Sequence, residues 1–334
     1  MKKYKVYGIG NALVDTEIQV EDQELQDMGV EKGLMTLVDE QRQHELANHL
    51  RGHLVTAQRA SGGSAANSMI ATARFGGPTF YSCKVASDDN GDFYLNDLEA
   101  AGVAHNLHGD RQTGITGRCL VLISPDAERS MNTYLGISET LSITELEPEA
   151  IRQSEWVYIE GYLVTSPTCC HAAARTRELA EEHGVKTALS FSDPGMVEFF
   201  REGMEEILGP NGVDLLFCNE QEAITFAGAA DVHEAAESLK QVSRQFAITL
   251  GANGALVYDG EQMISVDPFP VSAVDTNGAG DMFAGAFLYA ITHGRDFPTA
   301  GRFASMAAAK VVARFGPRLS ASEHDELLAE FSAL

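Results

Sequence analysis

The residues best suited to chemistry lie in 274–287, VDTNGAGDMFAGAF. Gly278, Ala279 and Gly280 stand where a helical run over 278–292 should begin, and Asp281 follows at once in its first turn. The first turn of a helix leaves backbone N–H groups unpaired and carries the positive end of the helix dipole. Without bulky side chains in the way, those donors can approach an anion closely. A carboxylate is a poor neighbour for a phosphate unless it takes up a proton during phosphoryl transfer. The same four residues also fit a structural role, a tight turn before a close-packed helix with Asp281 complementing the dipole.

Other stretches carry polar residues at places where ligands gather. In 61–77, SGGSAANSMIATARFGG, Gly62 and Gly63 precede a helix and suit a hinge or a close approach of backbone to ligand. Asn67 sits early in that helix against its propensity, although an ordinary helix start capped by Ser61 or Ser64 has the same pattern. Gly8-x-Gly10 follows an apolar run over 4–10, but Leu13 stands where a dinucleotide fingerprint needs glycine and TEIQV then alternates like a strand. That excludes the dinucleotide reading and leaves Asn11 and Asp15 as polar residues leaving the first strand, with Asp15 also suited to a turn. Asn219 and Glu222 in FCNEQEA follow a strand directly, where a carboxylate can hold Mg²⁺ through water; acidic helix starts look alike. Thr249, Gly251 and Gly254 lie in the strand–turn–strand segment 248–260, which a plain hairpin would share. Arg129 is a lone cation in an alternating segment with Met131 and Thr133. No GxxxxGK[ST] string occurs, so there is no Walker loop.

DTNGAGD followed by a small apolar helix resembles the C-terminal signature of the PfkB (ribokinase-like) family of carbohydrate and nucleoside kinases. SGGSAAN resembles that family's N-terminal signature, and GNALVD resembles the GN-x-x-x-D segment of its adenosine-kinase-like members. The resemblance runs over essentially the whole chain. It implies an ATP- and Mg²⁺-dependent kinase in which Asp281 is the general base on a sugar hydroxyl, most naturally the 5′-OH of a ribonucleoside. Gly278, Ala279 and Gly280 would stabilise the transferred phosphoryl group, and Arg129 would approach it on closure. Asn11, Asp15, Gly62, Gly63 and Asn67 would contact the sugar, with Met131 and Thr133 touching base or sugar. Met35 and Leu37 fall where such members contact the base, and neither offers a polar contact. Asn219, Thr249, Gly251, Gly254 and Asn277 would serve the nucleotide, and Glu222 the Mg²⁺ through water. Asp275, Gly316 and Ser320 match the place of a monovalent cation such as K⁺. A ribose- or fructose-type sugar kinase is the alternative; a nucleoside- or nucleotide-binding regulator without turnover is the reading from another class, against which the intact GAGD speaks.

These residues need elements to hold them. From Trp156 on, strands and helices alternate regularly: strands over 156–163, 185–191, 213–218 and 246–250, helices over 167–182, 195–208, 220–227 and 232–241. That rhythm implies parallel βαβ units and a doubly wound α/β core. A strand over 78–85, helices over 91–101 and 299–314 and a strand over 263–266 complete it. Before residue 140 the rhythm breaks, with short strands over 17–20, 34–38, 54–58, 114–123 and 129–135 around one helix over 39–50. The family resemblance makes these a small β-sheet lid, formed by 14–60 and 111–137, on a ribokinase-like core of 1–13, 61–110 and 138–334.

Composition bounds the partners. The chain has 334 residues, 44% of them hydrophobic, with a net charge of −24. So acidic a surface argues against nucleic acid, whose binding rests on basic patches, and a bound nucleotide must rely on local donors and Mg²⁺. Five cysteines without CxxC spacing suggest neither a disulfide framework nor a zinc site, and adjacent Cys169 and Cys170 read as packing residues. The basic-then-apolar N-terminus is too short and glycine-interrupted for a signal peptide, and no run reaches the roughly 20 apolar residues of a membrane span. A cytoplasmic location is expected. Monomer and dimer through the lid are both compatible with the sequence.

Overall fold

A computed structural model describes residues 2–53, 58–107, 109 and 111–332. Nine strands form the main sheet: β1 (Tyr4–Ile9), β5 (Thr79–Ser82), β6 (Val103–Ala104), β9 (Ser154–Glu160), β10 (Lys186–Ser190), β11 (Val213–Asn219), β12 (Ser243–Thr249), β13 (Ala255–Tyr258) and β14 (Met263–Val266). Their order is β14-β13-β12-β11-β10-β9-β1-β5-β6, parallel from β12 through β6 and antiparallel only at the β12–β13–β14 edge. A second sheet holds β2 (Leu13–Gln19), β3 (Met35–Leu37), β4 (Gln58–Gly62), β7 (Gly117–Ile123) and β8 (Arg129–Tyr134) in the order β3-β8-β7-β2-β4.

The period of two along each strand builds a core on either face of the main sheet. Val6, Trp156, Tyr158, Leu215 and Phe217 face the helices Ser64–Arg74, Ala279–Thr292 and Phe297–Val312. Their neighbours Tyr7, Val157, Ile159 and Leu216 face the helices Pro167–Glu182, Arg201–Leu208 and Glu220–Ala227. Two helices cover one face of the second sheet. Ile18, Leu120 and Leu122 pack under Leu25 and Leu46 from the helices Asp22–Asp27 and Glu40–His49. Its other face carries Cys119, Val121 and Met131 toward the main domain.

Several expectations shift. The strand expected over 17–20 begins at Leu13, so Asp15 lies inside a strand and not in a turn. The strand expected over 54–58 falls mostly outside the described residues. The helix expected over 195–208 is two helices, Pro194–Phe199 and Arg201–Leu208, because Phe200 leaves the helical region with ψ 35. The helices Asp22–Asp27 and Ala321–Ser332 went unanticipated; the first is too short to show a 3.6-residue period. All five cysteines are buried and free. Among the described residues no helix is long and apolar enough to cross a membrane.

Candidate active site

A cleft of about 650 Å³ opens where the two sheets face each other. It lies off the carboxyl ends of the parallel strands, the usual ligand position in such folds. Asn11 beyond β1, Glu160 closing β9, Ser190 closing β10, Asn219 closing β11 and Thr249 closing β12 all line it. The second sheet contributes Asp15, Met35, Leu37, Arg129, Met131 and Thr133 from the opposite wall. Gly278, Ala279, Gly280 and Asp281 form its floor.

The helix Ala279–Thr292 starts at Gly278, whose φ of 75 lies in the left-handed region and whose Cα faces Pro317 so closely that a methyl group would overlap it. Gly280 is different: a methyl group there would meet no protein atom within 4 Å. The Ala279 N–H donates to the Thr276 carbonyl at 3.3 Å, so one of the three expected donors is partly engaged by the chain itself.

Asp281 does more than complement a dipole. It accepts from Ser64 Oγ at 2.6 Å and from Asn67 Nδ2 at 2.9 Å, both on the helix Ser64–Arg74. The two helices approach this closely because Gly285 faces Ser68 and Ala71 with no room for a side chain, and Thr72 Oγ1 donates to the Gly285 carbonyl at 3.0 Å. Neither Ser61 nor Ser64 caps the helix Ser64–Arg74. Its N-cap is Gly63, with φ 94, and a methyl group there would strike the Asn11 carbonyl. Burial pushes the Asp281 carboxyl up, while the bonds from Ser64 and Asn67 and the charges of Arg129 and Arg318 draw it down. Part of the carboxylate stays open to the cleft.

Around it stand further buried acids. Asp15 is held well above the usual carboxylate range by burial and by neighbouring Glu17. Its carboxylate lies against Gly62, where any Cβ would overlap it, so Gly62 supports Asp15 from behind and does not itself line the cleft. Glu160 accepts from the Asn11 N–H and Nδ2, each at 3.1 Å, and from the Ala65 N–H at 2.8 Å; burial pushes it up to about 7. Glu17 accepts from Asn277 Nδ2 at 2.9 Å and is likewise pushed up by burial to about 7. Thus the Asn277 amide points to the second sheet. Thr276 adds two more links, accepting from Arg129 Nη1 at 3.3 Å and donating to the Ala127 carbonyl at 3.2 Å. Arg129 makes no ion pair with any described carboxylate.

The remaining expected residues divide. Asn219 and Glu222 form a reciprocal helix cap, with bonds of 2.8, 3.0 and 2.7 Å between them, and burial pushes Glu222 up to about 7. Gly251 and Gly254 take φ 56 and 89 in the turn after Thr249, and all three line the cleft. Asp275 is fully buried, accepting from the N–H groups of Asn277 at 2.8 Å and Gly316 at 3.0 Å. Ser320 is exposed and bonds Glu323 at the start of the last helix. Asp275, Gly316 and Ser320 do not line the cleft. Glu17, Ser64, Glu160 and Arg318 were missed as site residues. Glu160 had a visible signal, a charge ending the apolar strand WVYIEG; Glu17 shares a strand face with Asp15. Arg318 had none.

The pfkB family carbohydrate kinase model matches residues 33–324 of the chain. The chain belongs to the pfkB family. It is a kinase, and kinases of this family use ATP. An adenosine kinase from Schizophyllum commune is 28% identical over 95% of this pfkB kinase and 97% of its own length. Two solved structures share its fold throughout. A probable sugar kinase from Rhizobium etli superposes with a TM-score of 0.92 at 33% identity, covering 99% of this chain and 100% of that one. The adenosine kinase from Sinorhizobium meliloti gives 0.91 at 34% identity, covering 97% and 99%.

Proposed function

We propose that this kinase transfers the γ-phosphoryl group of ATP to the 5′-OH of a ribonucleoside, adenosine in the first place, with Asp281 as general base. The observation that carries the reading is the Asp281 carboxylate, fixed by Ser64 and Asn67 at a helix N-terminus open to the cleft. Its oxygen takes the proton of the acceptor hydroxyl, the hydroxyl oxygen attacks the γ-phosphorus in line, and the bond to the β–γ bridging oxygen breaks as ADP leaves. The first-turn amides of Gly280 and Asp281, which no intrahelical carbonyl can satisfy, stabilise charge on the transferred oxygens. Arg129 supplies positive charge from the second sheet. Positioning and charge stabilisation carry most of the catalysis in such transfers.

The two ends of the cleft divide the substrates. Asp15 and Asn67 suit the ribose hydroxyls, and Met35, Leu37, Met131 and Leu135 form an apolar slot for a base. Phe269, Val271, Ala308 and Val312 form a second apolar wall beyond Gly251 and Gly254, suited to the adenine of ATP. Among the described residues no three acidic, histidine or cysteine side chains converge to cage a metal, and both Glu222 oxygens already accept from Asn219. The residues therefore fit a Mg²⁺ ion carried by the nucleotide and held near Glu222 through water, where it would neutralise the β- and γ-phosphates. A K⁺ ion would be held by Asp275 and the Gly316 loop without Ser320, whose hydroxyl caps the last helix. Closure of the second sheet (14–60 and 111–137) would exclude water from the γ-phosphate.

ATP consumption with Mg²⁺, measured over a panel of ribonucleosides, ribose and fructose, tests the substrate. Adenosine is expected to give the highest kcat/KM. Turnover confined to ribose or fructose would move the acceptor to a free sugar, the reading that the sugar-kinase neighbour favours.

A further inference from the structure

Arg318 lies in FGPRLS, outside both signature stretches, and does not line the cleft. Its guanidinium nevertheless reaches three elements at once. Nη1 pairs with Asp97 Oδ2 at 2.6 Å, Nη2 donates to Ser61 Oγ at 2.9 Å, and Nε donates to Asn67 Oδ1 at 2.9 Å. Asp97 also accepts from the Ser61 N–H at 3.2 Å, so the arginine is clamped from behind. The contact with Asn67 has a consequence that chemistry alone dictates. A guanidinium has donors and no acceptor, so the side-chain oxygen of Asn67 must face Arg318. The Nδ2 end is then left to point at Asp281, to which it donates at 2.9 Å. Without Arg318 the amide is free to turn over, and its oxygen would then face the Asp281 carboxylate.

We propose that Arg318 is a positioning residue for the reaction: through Asn67 it orients the Asp281 carboxylate, and it holds a fixed positive charge one residue away from it. The inference rests on the general-base reading of Asp281. The second effect agrees with the charged groups around Asp281. Burial raises its carboxyl, and Arg129 and Arg318 draw it down; Asp15 and Glu160 stand nearby, both held above the usual carboxylate range by burial. Tyr158 on β9 and Tyr162 in the turn after that strand face Asp281 as neutral phenols. Ser64 completes the shell as a donor. Arg318 is therefore one of two cations set against several buried acids, and it is the one fixed by a carboxylate clamp.

The test is kcat against pH from 5 to 9 for wild type, Arg318→Met, Arg318→Lys and Asp281→Asn, with adenosine and ATP saturating and folding checked by thermal unfolding. A base works only when ionised, so activity rises with pH through the carboxyl's titration. Removing a nearby cation moves that rise to higher pH. Arg318→Met is expected to lower kcat roughly ten- to a hundredfold and to shift the acid limb upward. Arg318→Lys keeps the charge but loses the fork, so its limb should stay near wild type while kcat falls; this variant decides the matter if the methionine does not fold. A fall in kcat for Arg318→Met with an unmoved limb overturns the proposal, because a loosened fold lowers the active fraction without moving a titration. Wild-type kcat in Arg318→Lys across the range overturns the orienting role. Turnover surviving in Asp281→Asn overturns the base and the relay together, whereas a dead Asp281→Asn beside an indifferent Arg318→Met overturns the relay alone.

Discussion

Gly280 and Glu17 show how differently single residues serve this site. A methyl group on Gly280 would meet open space within the protein, so the fold does not demand glycine there. On the proposed function, it is the approach of the phosphate to the helix start that calls for glycine. Gly280→Ala should leave the thermal unfolding temperature unchanged or raise it, since alanine favours helix by about 0.5–1 kcal/mol. It should cut kcat/KM for ATP by about tenfold or more, roughly the 1.4 kcal/mol of a single lost contact. Wild-type kcat/KM in that variant would show that phosphate does not approach Gly280. Glu17 acts on stability. Buried beside Asp275, it holds its proton up to about 7 in the folded chain against an ordinary value of 4.5. Folding thus takes up a proton between those limits, and stability falls as pH rises through the window, levelling above 7. Glu160 and Glu222 act with the same sign. Glu17→Gln keeps an acceptor for Asn277 and removes one of these titrations. Unfolding free energy measured from pH 5 to 8 should therefore fall less steeply in the variant, by about 1–3 kcal/mol across the range; an unchanged slope would contradict the burial of an ionisable Glu17.

At the scale of elements, the site depends on two helices meeting without side chains between them. Gly285 faces the Ser68 carbonyl at a distance that a methyl group would reduce to 2.6 Å, with Ala71 Cβ at 2.7 Å. Backbone cannot yield there cheaply, so Gly285→Ala should destabilise by about 1–3 kcal/mol. Because Ser64 and Asn67 sit on the displaced helix, kcat should fall further than the folded fraction does, which activity and unfolding curves on the same sample would separate. Equal losses would mean that the helix contact serves stability alone. The sequence pattern revealed these elements unevenly. The strand–helix rhythm from Trp156 on was plain, since the strands there carry apolar runs buried on both faces, as over 156–159, 215–218 and 246–248. The second sheet was harder, because β3 has three residues and β4 borders undescribed chain. Asp15, which leaves the first strand and also suited a turn, pairs with Cys119 and Ala60 in mid-strand.

Across the whole molecule, the cleft is assembled from segments far apart in sequence, and this limits what a linear reading can recover. The glycine-rich stretches declare themselves locally because helix-start geometry restricts local residue types. The tertiary partners do not: Asn277 meets Glu17 across 260 positions, and Asn67 meets Arg318 across 251. An arginine among prolines and glycines carries no local mark of such a role. The same assembly explains how a chain of net charge −24 receives a polyanion. On the proposed function, the Gly280 and Asp281 amides, Arg129 and a nucleotide-borne cation would provide a local positive field that water exclusion strengthens. All of this converges on one carboxylate. The decisive measurement is transfer of labelled γ-phosphate from ATP to adenosine by wild type and Asp281→Asn side by side, with adenosine binding measured on both. The account predicts labelled AMP from the wild type, a loss of at least about a thousandfold in kcat for the variant, and adenosine binding preserved within a few-fold. Labelled AMP from the variant at a rate near wild type would contradict it.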